Sequence, residues 1–113
     1  MIKIYHNPRC QKSREGLAIL EASGKEFKVI NYLEDVPTNL EIKEILKLLR
    51  IAAIDLVRKN ETVWKENYKN KILSEDDIIA AFVEHPKLIE RPIIIHKNKA
   101  IIGRPPDLIK TII

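Results

Sequence analysis

A strand, a loop and a helix, followed closely by another strand, restrict this fold more than any other feature of the chain. Met1-Ile2-Lys3-Ile4-Tyr5 alternates apolar and polar side chains with the period of a β-strand. Leu17, Leu20 and the small Gly16 then recur at helical spacing, and Gly24 is placed to cap the helix at its C-terminus. Glu26-Phe27-Lys28-Val29-Ile30 alternates again after a short turn. Residues 1–30 therefore predict a β-α-β unit with parallel strands and a right-handed crossover.

The rest of the chain supplies an insertion and a closing hairpin. Asn31 to Pro37 is polar and ends in proline, which marks a loop. Thr38 with Glu41 makes a capping box, and Ile42, Ile45, Leu46 and Leu49 then form one apolar stripe. The stretch 51–71 is less regular, with a helical turn at Ile54, Leu56 and Val57, and with Trp64 and Tyr68 four apart on one helical face. Ser74-Glu75-Asp76-Asp77 opens another helix with acid where the dipole favours it; Ile78, Ile79, Phe82 and Val83 give its buried face, and Pro86 ends it. Ile93-Ile94-Ile95-His96 and Ala100-Ile101-Ile102 flank the turn Lys97-Asn98-Lys99 as an antiparallel hairpin. Gly103-Arg104-Pro105-Pro106-Asp107 opens a last short helix with Leu108, Ile109 and Ile112 as its apolar contacts. The order β-α-β, helical insertion at about 38–86, β-β-α predicts an α/β protein with a four-stranded mixed sheet, built as one domain over 1–113.

Composition narrows the function. Hydrophobic residues at 45% are enough for a core, and the net charge of +4 comes with no dense Lys/Arg run. Aromatics are only 5%, so little stacking surface exists, and no nucleic-acid partner is expected. The longest apolar runs are far too short to span a bilayer, and the N-terminus lacks the regions of a signal peptide, so the expected place is the cytoplasm, with no membrane partner. One cysteine cannot form an internal disulfide, which fits the same reducing compartment. No glycine-rich phosphate loop or dinucleotide fingerprint occurs, and the three histidines and one cysteine lack metal-ligand spacing. No metal and no tightly bound cofactor are expected, and His85 and His96 read as structural or surface residues.

The chemistry gathers at Tyr5-His6-Asn7-Pro8-Arg9-Cys10-Gln11-Lys12-Ser13-Arg14. Cys10 falls where the first loop gives way to a helix, among unsatisfied N–H groups and the positive end of the dipole, and that field favours a thiolate. A free cysteine is commonly a buried structural residue, but no apolar side chain lies within two residues of Cys10. Arg9, Lys12 and Arg14 add positive charge nearby. His6, as an imidazolium, would stabilise the thiolate, or it is simply a solvated strand-end residue. Asn7 could donate to the sulfur or to the loop backbone, and Ser13 could add a hydroxyl bond. Both also have ordinary capping explanations. A reactive thiolate that meets an anion is the expectation.

The motifs His6-Asn7-Pro8-Arg9-Cys10 with Lys12-Ser13-Arg14, Leu56-Val57-Arg58-Lys59-Asn60, His85-Pro86, Glu90-Arg91-Pro92-Ile93 and Gly103-Arg104-Pro105-Pro106 run over nearly the whole chain. Together they resemble the ArsC-type arsenate reductases that depend on glutathione and glutaredoxin. The resemblance implies a thioredoxin-like sheet with a helical insertion, Cys10 as the nucleophile, and Arg58, Arg91 and Arg104 as the residues that hold the oxyanion. It also implies that Pro92 is the structural cis-proline before a central strand. Any single arginine is more often a salt-bridge partner, but a planar fork suits a tetrahedral oxyanion, and three such residues form a set. Arsenate as substrate, glutathione as co-substrate and glutaredoxin as reductant follow from the resemblance, with the protein acting as a monomer. Because Cys10 has no second cysteine to pair with, both electrons would come from outside thiols. Two other classes stay open: a glutathione-linked thiol reductase of another substrate, and a regulator that binds RNA polymerase, as Spx-type proteins do. The latter typically carry Cys-x-x-Cys, whereas Cys10-Gln11-Lys12-Ser13 ends in serine.

Overall fold

Strand β1 (Ile2–His6) pairs with β2 (Phe27–Asn31) in parallel and with β3 (Ile93–His96) antiparallel, and β3 pairs with β4 (Lys99–Ile102) antiparallel. The resulting sheet has the order β2-β1-β3-β4 in the computed structural model, which describes residues 1–113. This is the expected four-stranded mixed sheet. Helix α1 (Gln11–Ser23) links β1 to β2, and Gly24 ends it at φ 71, the left-handed region that glycine enters without steric cost.

The chain forms two units, Met1–Asp35 with Arg91–Ile113, and Val36–Glu90. In the first, Ile2 and Ile4 alternate onto one face of β1 and cluster with Leu20 of α1, Ile94 of β3 and Ile109. Each such full burial of an Ile or Leu contributes about 2 kcal/mol, so this cluster fixes the register of the two central strands. Ile109 belongs to a 3₁₀ turn (Pro106–Thr111) that packs on α1. The expected last helix takes this tighter form, in keeping with its six residues and its two leading prolines. Gly16 and Gly103 both press on Pro92 and Ile109. A Cβ at Gly16 would lie 3.0 Å from Pro92 Cγ and 3.0 Å from Ile109 Cδ1, and one at Gly103 would lie 3.0 and 3.2 Å from the same atoms. Strand β2 is an edge, and its alternation buries less than a central strand would: Val29 stays 44% exposed.

The second unit holds α2 (Asn39–Leu49), α3 (Thr62–Asn67) and α4 (Glu75–Glu84). Thr38 and Glu41 close the expected capping box at 3.2 and 3.1 Å, and Ser74 with Asp77 closes another at 3.1 and 2.9 Å. Ile42, Ile45 and Leu46 of α2 and Ile78, Ile79 and Phe82 of α4 are buried, and the two helices pack on each other. Trp64 stacks on Tyr68 with ring centres 5.4 Å apart, and Tyr68 meets the edge of His85. An isolated antiparallel bridge, Val57 with Ile89, joins the two ends of this unit's second half. No helix in the molecule is long and apolar enough to cross a membrane.

Candidate active site

The loop between β1 and α1 is held by its own polar groups. Cys10 is the N-cap of α1, with extended backbone at φ −98 and ψ 124. Its N–H donates to Asn7 O at 3.0 Å, and its carbonyl accepts from Arg14 N–H at 3.0 Å. Asn7 Oδ1 accepts from Arg9 N–H at 3.0 Å, so this side chain turns the loop by accepting from its backbone. Ser13 Oγ is fully buried, accepts from Asn7 N–H at 2.9 Å, and lies 2.6 Å from His6 Nδ1. One hydroxyl meets both the Asn7 N–H and the His6 ring. Strand end, loop and first helical turn are thus tied at one oxygen.

His6 ends β1, where its surroundings disfavour the imidazolium, one of its two expected states. Burial is the largest influence on the ring and lowers its pKa; a hydrogen bond at the Ser13 backbone opposes this, and the Arg14 charge lowers it further. The ring is therefore uncharged at neutral pH, because a buried cation would forfeit its hydration. The ring meets the Ser13 hydroxyl, and through it His6 holds the loop.

Cys10 is partly buried, and burial by itself pushes the thiol up. Four influences outweigh it: the Ser13 N–H, the Arg91 charge, an Arg91 hydrogen bond and the Lys12 N–H. The net result is a thiol held below its ordinary value. The side chain closes no capping hydrogen bond of ordinary geometry, but the open N–H groups of the first turn still favour its anion. Two of the three cations expected to do this are occupied elsewhere. Arg14 Nη1 donates to Pro8 O at 3.0 Å, and Lys12 Nζ sits 3.6 Å from Glu15. Arg91 replaces them from far along the chain, because β1 and β3 pair Tyr5 with Ile93 and so bring residues 91–92 beside the loop.

Arg91 is buried, whereas Arg104 is exposed and donates from Nη1 to Arg91 O at 3.1 Å. The peptide bonds Arg91–Pro92 and Arg104–Pro105 are both cis. Pro92 is fully buried. Cys10, Ser13, His6, Asn7, Arg91, Pro92 and Arg104 thus share the first unit. Arg58 belongs to the second. There its N–H donates to Leu88 O at 2.7 Å and its Nε lies 3.4 Å from Glu90 Oε1. Sequence reading gave Glu90 no role of its own. An acid beside Arg91 was visible, but only the pairing of Val57 with Ile89 brings it to Arg58. The two remaining histidines are occupied with structure: His96 Nδ1 donates to Ile112 O at 2.6 Å, and His85 lies against Tyr68.

Known proteins resemble this chain over nearly its whole length. A sequence model of the ArsC family matches residues 5–112. "Uncharacterized protein YfgD" of Escherichia coli K12 is 45% identical over 99% of this chain and 96% of its own length. An arsenate reductase of Neisseria meningitidis serogroup A is 40% identical over 99% of this chain and 97% of its own. The solved structure of an arsenate reductase from Vibrio cholerae superposes with a TM-score of 0.95 at 44% identity, covering 99% of this chain and 97% of that one.

Proposed function

This chain belongs to the ArsC family, and on that premise we propose that it reduces arsenate to arsenite, with Cys10 as nucleophile and outside thiols as reductant. The observation that carries the reading is the buried Arg91, whose charge and hydrogen bond act on the Cys10 sulfur at the head of a 13-residue helix. The same guanidinium that favours the thiolate draws an oxyanion to it. Arsenate reductases among the relatives supply the identity of that oxyanion.

In this reading the thiolate attacks arsenic, a sulfur–arsenic bond forms, and one arsenate oxygen leaves as water. Glutathione then displaces a further oxygen and forms a second sulfur–arsenic bond. A glutaredoxin thiol attacks the glutathione sulfur, the bonding pair stays on arsenic, and arsenic passes from the pentavalent to the trivalent state. Water releases arsenite and returns the Cys10 thiol. The two electrons thus come from two outside thiols that end as a disulfide, as a lone cysteine requires. Arg91 and Arg104 offset charge on the oxygens during attack. For Arg58 the same role rests on the sequence motif.

The test is arsenite formation by the purified protein with glutathione, with and without glutaredoxin. Turnover that needs both, and that Cys10→Ser abolishes, supports the reading. A Cys10→Ser protein with full activity would overturn it.

A further inference from the structure

A cavity of about 310 Å³ opens beside the nucleophile loop, lined by Asn7, Pro8 and Arg9 after β1 and by Asn31, Leu33 and Glu34 after β2. The parallel register ends with His6 opposite Asn31, so both loops leave the sheet from the same edge. That edge is the carboxyl end of two parallel strands, where open α/β sheets receive ligands. Arg9 directly precedes Cys10, so the cavity wall adjoins the nucleophile along the chain.

The cavity is built for both signs of charge. Arg9 and Glu34 are exposed and line the same space, yet neither takes part in an ion pair, although the molecule forms such pairs elsewhere. A simple anion would meet Glu34, and a simple cation would meet Arg9. A zwitterion satisfies both. The loops are held for this by their own asparagines: Asn7 Oδ1 takes Arg9 N–H at 3.0 Å, and Asn31 Oδ1 takes Leu33 N–H at 3.3 Å. Their amide N–H groups are left as further donors for a carboxylate. Leu33, 38% exposed, offers an apolar wall for a short methylene chain. The volume is at the small end of ligand sites, the size of an amino-acid group.

We propose that this cavity binds the α-amino-acid head of a small thiol, with its carboxylate on Arg9 and its ammonium on Glu34. The inference rests on the reading of Cys10 as a thiolate served by an outside thiol. The γ-glutamyl end of glutathione has this chemistry, and binding it here would bring the ligand's sulfur to the Cys10 side of the loop.

S-methylglutathione, which keeps the head but has no reactive thiol, is the probe. Titrated into the ¹⁵N-labelled full chain, it should shift the amides of Asn7, Arg9, Asn31 and Glu34. Arg9→Ala and Glu34→Gln should each weaken its binding about threefold to tenfold. N-acetylation of the probe's α-amine should weaken binding to the natural chain and leave the affinity of Glu34→Gln unchanged. Shifts confined to another surface, absence of binding at millimolar probe, or natural affinity in both variants would overturn the proposal. The probe cannot react, so the two readings fail separately. Arsenate turnover without binding here removes the cavity's role, and binding here without arsenate turnover keeps the cavity and removes the substrate.

Discussion

Arg104 Nη1 donates to the carbonyl oxygen of Arg91 at 3.1 Å, so one arginine of the site holds the backbone from which the other acts. From that backbone the Arg91 side chain acts on the Cys10 sulfur. Arg91→Ala removes both a charge and a hydrogen bond from the thiolate. The midpoint of the pH profile for iodoacetamide alkylation of Cys10 should move upward, and arsenate turnover should fall by about 10²–10³-fold. Arg91→Lys should restore part of the midpoint and little of the turnover, since an ammonium cannot present a planar fork. Arg104→Ala should move the midpoint in the same direction by less, because it loosens Arg91 without removing it.

Stability should depend on the same thiol. The folded chain holds Cys10 below its ordinary value, so between the folded and unfolded values the unfolded chain carries the extra proton. Stability then rises with pH through the folded value and is fully gained above the unfolded one, about 8.5. Urea midpoints collected from pH 6 to 9.5 should show this rise in the natural protein, and Cys10→Ser should lack it.

His6 should act at the other end of the range. Its folded pKa lies below the ordinary 6.5 or so of histidine, so the unfolded chain takes up a proton first as pH falls. That contribution to stability is complete above about 6.5 and is lost as pH drops through the folded value. His6→Asn should flatten the urea midpoint between pH 5 and 6.5, and an unchanged slope would sink the assignment.

Ser13→Ala should be costly for so small a change. It leaves the Asn7 N–H and His6 Nδ1 without the oxygen that now joins them, and both residues are buried. The loss expected is about 2 kcal/mol in denaturant unfolding, with alkylation of Cys10 altered as the loop loosens.

The periodic parts of this fold were legible in the chain, and the reasons are local. Thr38 with Glu41 announced α2, and Ile42, Ile45 and Leu46 marked the face it buries. The hairpin of β3 and β4 was written in isoleucine and alanine on either side of a turn, which is two residues, Lys97 and Asn98, and not the expected three, because Lys99 pairs with His96 in β4. Arg50 was not legible: a non-glycine residue closes α2 at φ 59, and nothing in its neighbours announces that conformation. At the site, the residue types were readable and their partners were not. Cys10 and its helix start could be read within ten residues, but the cation that acts on it is Arg91, selected over nearer ones by strand pairing. His6 was likewise visible as a histidine beside a cysteine, while its lack of charge follows from burial.

The contact of Gly16 and Gly103 with Pro92 and Ile109 makes these four positions answer to one another. A methyl group at Gly16 should cost about 1–3 kcal/mol, since it meets a proline ring and an isoleucine end at once. Trimming the isoleucine, as in Ile109→Val, should recover part of that loss, so that the double variant is more stable than the sum of its single changes implies. Variation in homologous chains is then expected to come in matched sets, with a larger residue at one glycine accompanied by a smaller one at 109. Such co-variation would be the historical trace of two elements leaning on the residue that follows Arg91.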